Sequence, residues 1–199
     1  MARTLLVVPT TAGVGLARTC LGVVRALDRG GVNVGFVKPV AQPRADGSSD
    51  RSTALVSATT TLRPPNPLST AELEQQLGAG GLDVVLEKVV ATCQPVHDRS
   101  AVVVVEGLSP GPTKLYASGF NQALARALDA DVLLVGSWPP DDAGSSKDRT
   151  DHQTGAALGA EGTVEGLAET LAITASGYWS GEQARVVGCV VNGLPASDS

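Results

Sequence analysis

The 199-residue sequence has few cysteines and few aromatic residues. The first shortage bears on disulfides and the second on the composition of the core. Its three cysteines, Cys20, Cys93 and Cys189, are odd in number, far apart and set among apolar or small neighbours, which excludes a disulfide scaffold. We predict reduced, mostly buried thiols in a cytoplasmic protein. Aromatic residues make up only 3% of the chain. Alanine, glycine and valine are therefore expected to form the core, with strands and helices packed closely.

The chain also lacks long hydrophobic runs and a surplus of basic residues. The N-terminal apolar run 5–8 has only the length of a strand and ends at Pro9, so neither a signal peptide nor a membrane span is predicted. Fifteen Lys and Arg against twenty Asp and Glu give a net charge of −5, which argues against nucleic acid as a partner. The 43% of hydrophobic residues suffices for a core, and we expect one domain over residues 1–199.

Short valine-rich runs alternate with helical patterns along the chain. Apolar runs bounded by Gly or Pro predict buried strands at 4–8, 32–37, 101–105, 131–135 and 185–191. Apolar residues at helical spacing predict helices at 16–28, 52–59, 120–128 and 163–178. Segment 70–93 also has a helical pattern. This alternation indicates an α/β fold, a doubly wound, mostly parallel sheet with helices on both faces. Segment 139–162 has no periodicity and is predicted to be a mobile surface loop.

The loop after the first predicted strand is the first place to look for a ligand site, because ligands of doubly wound sheets bind beyond the carboxyl ends of the strands. It reads Thr10-Thr11-Ala12-Gly13-Val14-Gly15-Leu16-Ala17. Its frame is that of the phosphate-binding loop G-x-x-x-x-G-K-[ST]. In such a loop, backbone amides and the positive end of the helix bind an anion, while the lysine and hydroxyl bind the terminal phosphate and magnesium.

Aligned on Gly15, this loop lacks three of the four motif residues. Thr10 replaces the first glycine, Leu16 replaces the lysine and Ala17 replaces the magnesium-binding hydroxyl. The amides and the helix dipole remain, but the charge and the metal ligand that speed phosphoryl transfer are gone. Three interpretations stay open: productive use of ATP, binding of a phosphate-bearing effector, and a tight turn that only connects strand to helix.

Four polar residues beyond this loop fit a nucleotide site. Lys38 follows the second strand, Asp50 precedes a helix, Glu106 ends the third strand and Asn192 follows the last one. Asp50 and Glu106 are candidate ligands of a cation, and Asn192 is a candidate partner of a base edge. Each has a simpler interpretation: Asp50 as a helix cap, Lys38 and Glu106 as partners of one another, and Asn192 as a turn residue before glycine.

These residues carry a resemblance to the N-terminal domain of the long, bacterial type of phosphate acetyltransferase. The similar segments are 10–16 after a Val-Val-Pro strand, the Lys-Pro-Val-Ala-Gln-Pro-Arg run within 37–44, 105–108 with Asn121, 127–130, and 188–194. They extend over nearly the whole chain. That domain is related to dethiobiotin synthetase and the cobyrinic acid amide synthetases, so the resemblance implies a P-loop NTPase-like, dethiobiotin synthetase-like fold.

The resemblance also implies that different domains of the whole enzyme have different functions. In the long enzymes, a separate C-terminal domain transfers acetyl between acetyl-CoA and phosphate, whereas the N-terminal domain is tied to hexamer stability and to allosteric response to metabolites such as NADH and pyruvate. This chain is therefore expected to be a fragment of a longer chain and not to transfer acetyl groups itself. Its expected partners are the other domains and subunits of a homo-oligomer, with neither nucleic acid nor membrane among them.

By the same resemblance, Asp50 and Glu106 correspond to magnesium carboxylates, Lys38 to a phosphate and substrate contact, and Asn192 to an adenine contact. The expected ligand is a nucleotide effector, ATP or NADH, with Mg²⁺. Our first hypothesis is a regulatory and assembly domain with a degenerate nucleotide site. The alternatives are an ATP-dependent ligase similar to dethiobiotin synthetase or cobyrinic acid amide synthetase, in which Lys38 replaces the loop lysine, and a purely structural domain.

Overall fold

The computed structural model describes residues 2–42, 50–138, 163–178 and 185–194. Its strands form one sheet in the order β2-β3-β1-β4-β5, and every neighbouring pair is parallel. The strands are β1 (Arg3–Pro9), β2 (Val34–Val37), β3 (Val102–Glu106), β4 (Asp131–Ser137) and β5 (Arg185–Asn192). The predicted doubly wound, parallel α/β fold is confirmed. The predicted loop 139–162 lies outside the described residues, as do Pro43 and Arg44.

Six helices connect these strands in the described part of the chain. They are α1 (Leu16–Arg29), α2 (Arg51–Thr59), α3 (Thr70–Gly78), α4 (Leu82–His97), α5 (Ala117–Ala127) and α6 (Val164–Ser176). Segment 70–93, which was predicted to be helical, contains two helices. Gly80 adopts a positive φ of 74° between them, a conformation that glycine takes without strain and that ends a helix. The second of the two continues past its predicted end and includes Pro95.

Apolar residues cover both faces of the sheet, as predicted for a doubly wound fold. On one face, β1 contributes Val7 and β3 contributes Val104 to a cluster with side chains of α1 and α2. On the other face, the alternate residues Leu6 and Val105 pack against α3, α4, α5 and α6. Successive side chains of a strand point to opposite faces, so the continuous valine runs follow from burial on both sides.

The three cysteines are free, but they are not all buried. Cys20 and Cys93 are each 1% exposed, whereas Cys189 is exposed. The prediction of a buried thiol was wrong at Cys189, because β5 pairs with β4 alone and its outer side has no neighbouring strand among the described residues. No helix of the described segments is both long and apolar enough to cross a membrane.

The register of the parallel strands brings several polar residues to the same end of the sheet. Val7 of β1 lies opposite Glu106 of β3, and Val37 of β2 lies opposite Val105. Lys38 directly follows Val37, so it and Glu106 emerge from adjacent strands. The loop between β1 and α1 lies at this same carboxyl edge, where doubly wound sheets bind their ligands.

Candidate functional site

The loop between β1 and α1 is held in shape by its own backbone. Gly13 and Gly15 have positive φ values of 76° and 80°, which only glycine adopts readily. The carbonyl oxygen of Gly15 accepts the first amides of the helix, those of Arg18 and Thr19, each at 3.0 Å. The amide of Thr10 donates to the Val135 carbonyl at 2.9 Å, which ties the start of the loop to β4. The frame predicted from the glycine spacing is present.

Leu16 occupies the position that carries lysine in a functional phosphate-binding loop. Its side chain packs in the apolar cluster beneath α1, together with Val14 and Cys20, and it is only 6% exposed. Ala17, the next residue, has no hydroxyl to offer a metal. At this point the loop therefore presents hydrocarbon to a ligand, where phosphoryl transfer requires a cation.

Asn192, at the end of β5, braces the loop from the other side. Its Nδ2 donates to the Val14 carbonyl at 2.7 Å and to Thr19 Oγ1 at 2.9 Å. A Cβ on Gly15 would lie 3.0 Å from this nitrogen, so the close approach also favours glycine there. Both N–H groups of the Asn192 amide are thus used within the protein, and in this arrangement neither is available to a base edge.

A buried cluster of charged side chains lies beside the loop. Lys38 Nζ is 2.8 Å from Glu106 Oε1 and 2.9 Å from Asp50 Oδ2. It also donates to Ser52 Oγ at 3.1 Å, and Ser52 in turn donates to Glu106 Oε1 at 2.8 Å. All four residues are at most 7% exposed. The pairing of Lys38 with Glu106, one of the two interpretations of these residues, is what the structure contains.

Asp50 takes part in two arrangements at once. Its Oδ1 accepts the amide of Thr53 at 3.0 Å and so caps α2, while its Oδ2 accepts the amide of Gln42 at 3.0 Å and faces Lys38. Burial acts to raise the pKa of Asp50, but these backbone hydrogen bonds and the Lys38 ammonium outweigh it, and the pKa lies below its ordinary value. Asp50 is therefore a stable anion in this cluster.

One ammonium cannot neutralise two buried carboxylates. Of the two, Glu106 is the one whose ionised form is less favoured. Burial raises the pKa of Glu106, and Lys38 and Ser52 offset only part of that effect, while the charge of Asp50 adds to it. Glu106 Oε2 is buried and has no hydrogen-bond partner. Burial acts to lower the pKa of Lys38, but Glu106 and Asp50 outweigh it and the pKa is raised. The ammonium is thus firmly held, and Oε2 is where Glu106 accepts a proton.

We expect Glu106 to make stability fall as pH rises. A carboxyl whose folded pKa exceeds its unfolded value, here about 4.5, keeps its proton in the fold while the unfolded chain releases it. Above pH 4.5 the unfolded state therefore binds fewer protons, and the free energy of unfolding decreases by at most about 1.4 kcal/mol per pH unit. Urea denaturation of the wild type and Glu106→Gln between acid and neutral pH measures this, since the advantage of the wild type should shrink as pH rises.

The matched control is Glu72→Gln, because Glu72 pairs with Lys88 on the surface, where the two side chains are 41% and 45% exposed. Its difference from the wild type should stay within about 1 kcal/mol over the same range, as for other exposed ion pairs. An advantage of the wild type over Glu106→Gln that grows with pH would contradict the raised pKa of Glu106.

A crevice of about 630 Å³ opens between the loop and this cluster. It brings together some of the predicted site residues and leaves others outside. The predicted residues that line it are Gly13, Val14, Gly15, Leu16, Ala17, Lys38 and Glu106. The predicted residues outside the lining are Thr10, Thr11, Ala12, Asp50 and Asn192, of which Asp50 and Asn192 act by holding the lining residues.

The sequence did not single out three residues that the structure places at this site. Ser52 completes the buried cluster, and Arg18 and Arg51, at the first turns of α1 and α2, line the crevice. Asn121, which the sequence offered only as part of the resemblance, clamps the chain after β3. Its side chain accepts the amide of Leu108 at 2.8 Å and donates to the Leu108 carbonyl at 2.9 Å.

The donor set does not fit a magnesium ion in this arrangement. Both candidate carboxylates are paired with the Lys38 ammonium, and the loop supplies no hydroxyl at Ala17. Among the residues that the structure describes, no three His, Cys, Asp or Glu side chains gather as a metal site would require. A cation added beside Lys38 would meet a like charge in a buried site.

The fold and the glycine-bearing turn after its central strand define an α/β protein of P-loop NTPase-like fold. Among solved structures, the signal recognition particle receptor FtsY from Elizabethkingia anophelis matches with a TM-score of 0.57 at 16% identity, covering 98% of this chain and 51% of that chain. This likeness shows the fold alone. A family model described as AAA domain matches residues 3–199, and the chain belongs to that family.

Curated relatives of this chain are phosphate acetyltransferases. The phosphate acetyltransferase of Pseudomonas putida is 46% identical over 134 residues, which are 67% of this chain and 19% of the relative. That of Salmonella typhimurium is 32% identical over 197 residues, which are 98% of this chain and 25% of the relative. These matches confirm the resemblance seen in the sequence. The chain spans about a fifth to a quarter of these relatives.

Proposed function

We propose that this chain is the N-terminal regulatory and assembly domain of a phosphate acetyltransferase and that it has a degenerate nucleotide site. In the whole enzyme, acetyl-CoA and phosphate would give acetyl phosphate and CoA at a different domain. The similarity to phosphate acetyltransferases over a limited part of their length supports the assignment to that enzyme. The protein would work in the cytoplasm as part of a homo-oligomer.

The observation that carries the loss of nucleotide chemistry is the burial of Leu16. Lysine at this position would have to reach the phosphates of a bound nucleotide. Here the leucine is 6% exposed and part of the core. The substitution therefore contributes to packing, and the domain is expected to keep the fold of a nucleotide enzyme without its turnover.

The crevice retains features that suit an anionic effector. The N-terminus of α1 carries a partial positive charge, and the guanidinium groups of Arg18 and Arg51 lie on exposed first turns around the opening. Arginine binds carboxylate and phosphate in a bidentate way. A metabolite such as NADH, or ATP without its metal ion, would enter here, and the surrounding surfaces would contact other subunits.

Isothermal titration calorimetry with Mg-ATP and with NADH tests this proposal. We expect the wild-type chain to bind no Mg-ATP at micromolar concentration and to release no phosphate from it, because the cationic residue of the loop is absent. Micromolar binding of Mg-ATP with measurable hydrolysis would overturn the proposal and favour an ATP-dependent ligase similar to dethiobiotin synthetase.

Leu16→Lys is the informative companion variant. It restores the loop lysine, and a gain in ATP affinity would show that the crevice still has room for phosphate. No gain together with no NADH binding in the wild type would favour a purely structural domain over a regulatory one. A circular dichroism melt of Leu16→Lys serves as the control, since it introduces a charge into an apolar cluster.

A further inference from the structure

The ammonium group of Lys38 has no hydrogen-bonding capacity left for a ligand. An ammonium carries three N–H donors. Its nitrogen lies 2.8 Å from Glu106 Oε1, 2.9 Å from Asp50 Oδ2 and 3.1 Å from Ser52 Oγ. Lys38 thus donates hydrogen bonds to Glu106 and Ser52 and forms an ion pair with Asp50. A phosphate could be bound by Lys38 only if one of these buried oxygens lost its partner, which is costly.

The three acceptors come from two segments, the start of α2 and the end of β3, and converge on a single point. Asp50 precedes α2, Ser52 lies in its first turn, and Glu106 ends β3. Two carboxylate oxygens and a hydroxyl are hard oxygen donors, the type that binds Mg²⁺ and Mn²⁺ in proteins. The point on which they converge is occupied by the Lys38 nitrogen. The cluster is thus built like a cation site, with a covalently attached cation in it.

Other contacts also hold these oxygens. Asp50 is held by the amides of Gln42 and Thr53, both at 3.0 Å, and a carboxylate oriented by backbone amides keeps its position when a neighbour is exchanged. Ser52 and Glu106 are joined to each other by a hydrogen bond of 2.8 Å. Each of the three acceptors therefore has a contact in addition to Lys38.

We propose that the Lys38 ammonium is the resident cation of this crevice, that it takes the place of a divalent metal ion, and that a divalent ion binds at this point only when the charge of Lys38 is removed. In the wild type, the crevice then takes ligands that bring their own phosphate or carboxylate without a metal. The proposal stands on the geometry of the cluster. It holds whether or not the domain regulates an enzyme, and it explains why Mg-ATP would be excluded.

Mn²⁺ alone is the probe, and electron paramagnetic resonance of free and bound Mn²⁺ is the measurement. The wild-type chain is expected to bind no Mn²⁺ at this site up to millimolar concentrations. Lys38→Ala, which removes the charge and vacates the point of convergence, is expected to bind one Mn²⁺ per chain at least about 100-fold more tightly, because the ion no longer competes with the ammonium for the same oxygens. The double variant with Lys38→Ala and Glu106→Gln should lose this binding, because it lacks one carboxylate.

Each outcome decides the proposal. Mn²⁺ binding to the wild type that disappears in Glu106→Gln would overturn it, as would a folded Lys38→Ala that binds no Mn²⁺. If Lys38→Ala does not fold in buffer, refolding it from urea with and without Mn²⁺ replaces the titration: recovery that depends on Mn²⁺ supports the proposal, and equal failure in both overturns it. None of these measurements involves a nucleotide, so they remain separate from the calorimetric test of the proposed function.

Discussion

Replacing Lys38 with methionine in metal-free buffer is expected to lower the free energy of unfolding by about 3–5 kcal/mol, the cost of removing one partner from a buried ion pair. Methionine keeps most of the volume of the lysine chain, so the effect isolates the charge. Lys38, Asp50 and Glu106 are 2%, 7% and 2% exposed. Two carboxylates would then face one another without a counter-ion in a site that water barely reaches. Urea denaturation followed by circular dichroism measures the loss.

A second lysine provides a matched control. Lys88 forms an ion pair of the same length, 2.8 Å, with Glu72, but on the surface, where both side chains are more than two fifths exposed. Lys88→Met should therefore cost no more than about 1 kcal/mol. If the two variants lose similar free energies, the buried cluster does not have the electrostatic importance that its geometry indicates.

Replacing Asn121 with alanine is expected to produce the second large loss. The Asn121 side chain is 1% exposed and makes two hydrogen bonds to the backbone of Leu108. Its removal leaves a buried amide and a buried carbonyl without partners, and each costs about 1–3 kcal/mol. The same denaturation experiment measures the loss. The chain after Glu106 would also lose its anchor, so the crevice wall should loosen.

Asn33→Ala is the control for this variant, because Asn33 is exposed and its amide donates to the backbone of Arg99 at the surface. It should change stability by no more than about 0.5 kcal/mol. Hydrogen exchange gives an independent readout: the Leu108 amide should become less protected in Asn121→Ala and remain unchanged in Asn33→Ala. Unchanged protection of that amide would contradict the role assigned to Asn121.

Much of the fold followed from the sequence because burial leaves a clear pattern. The valine runs of β1, β3 and β4 predicted strands buried on both faces, and they are found within one or two residues of the predicted bounds. The helical spacing after Gly15 predicted α1, and the glycines of the loop predicted its turn. Each of these features depends on neighbours in the sequence, which is why a pattern reveals it.

The features that were missed depend on partners distant in the sequence. Ser52 is an ordinary serine in a first helical turn until Glu106, 54 residues later, is placed beside it. Cys189 is set among valines, so its exposure follows only from the position of β5 at the edge of the sheet. In the same way, the surroundings of Lys38 combine acceptors from the start of α2 and the end of β3, which no local spacing records.

The hydrogen bonds of Asn192 also set an order in which the chain can assemble. They join the last strand to a loop 178 residues earlier in the sequence, which makes them among the most non-local contacts of the molecule. Such contacts form late, because the chain between them must first be ordered. A polypeptide still emerging from the ribosome has β1, the loop and Lys38 long before it has Asn192. The crevice therefore acquires its final shape only after synthesis has passed β5, and a growing chain cannot yet present it to a ligand.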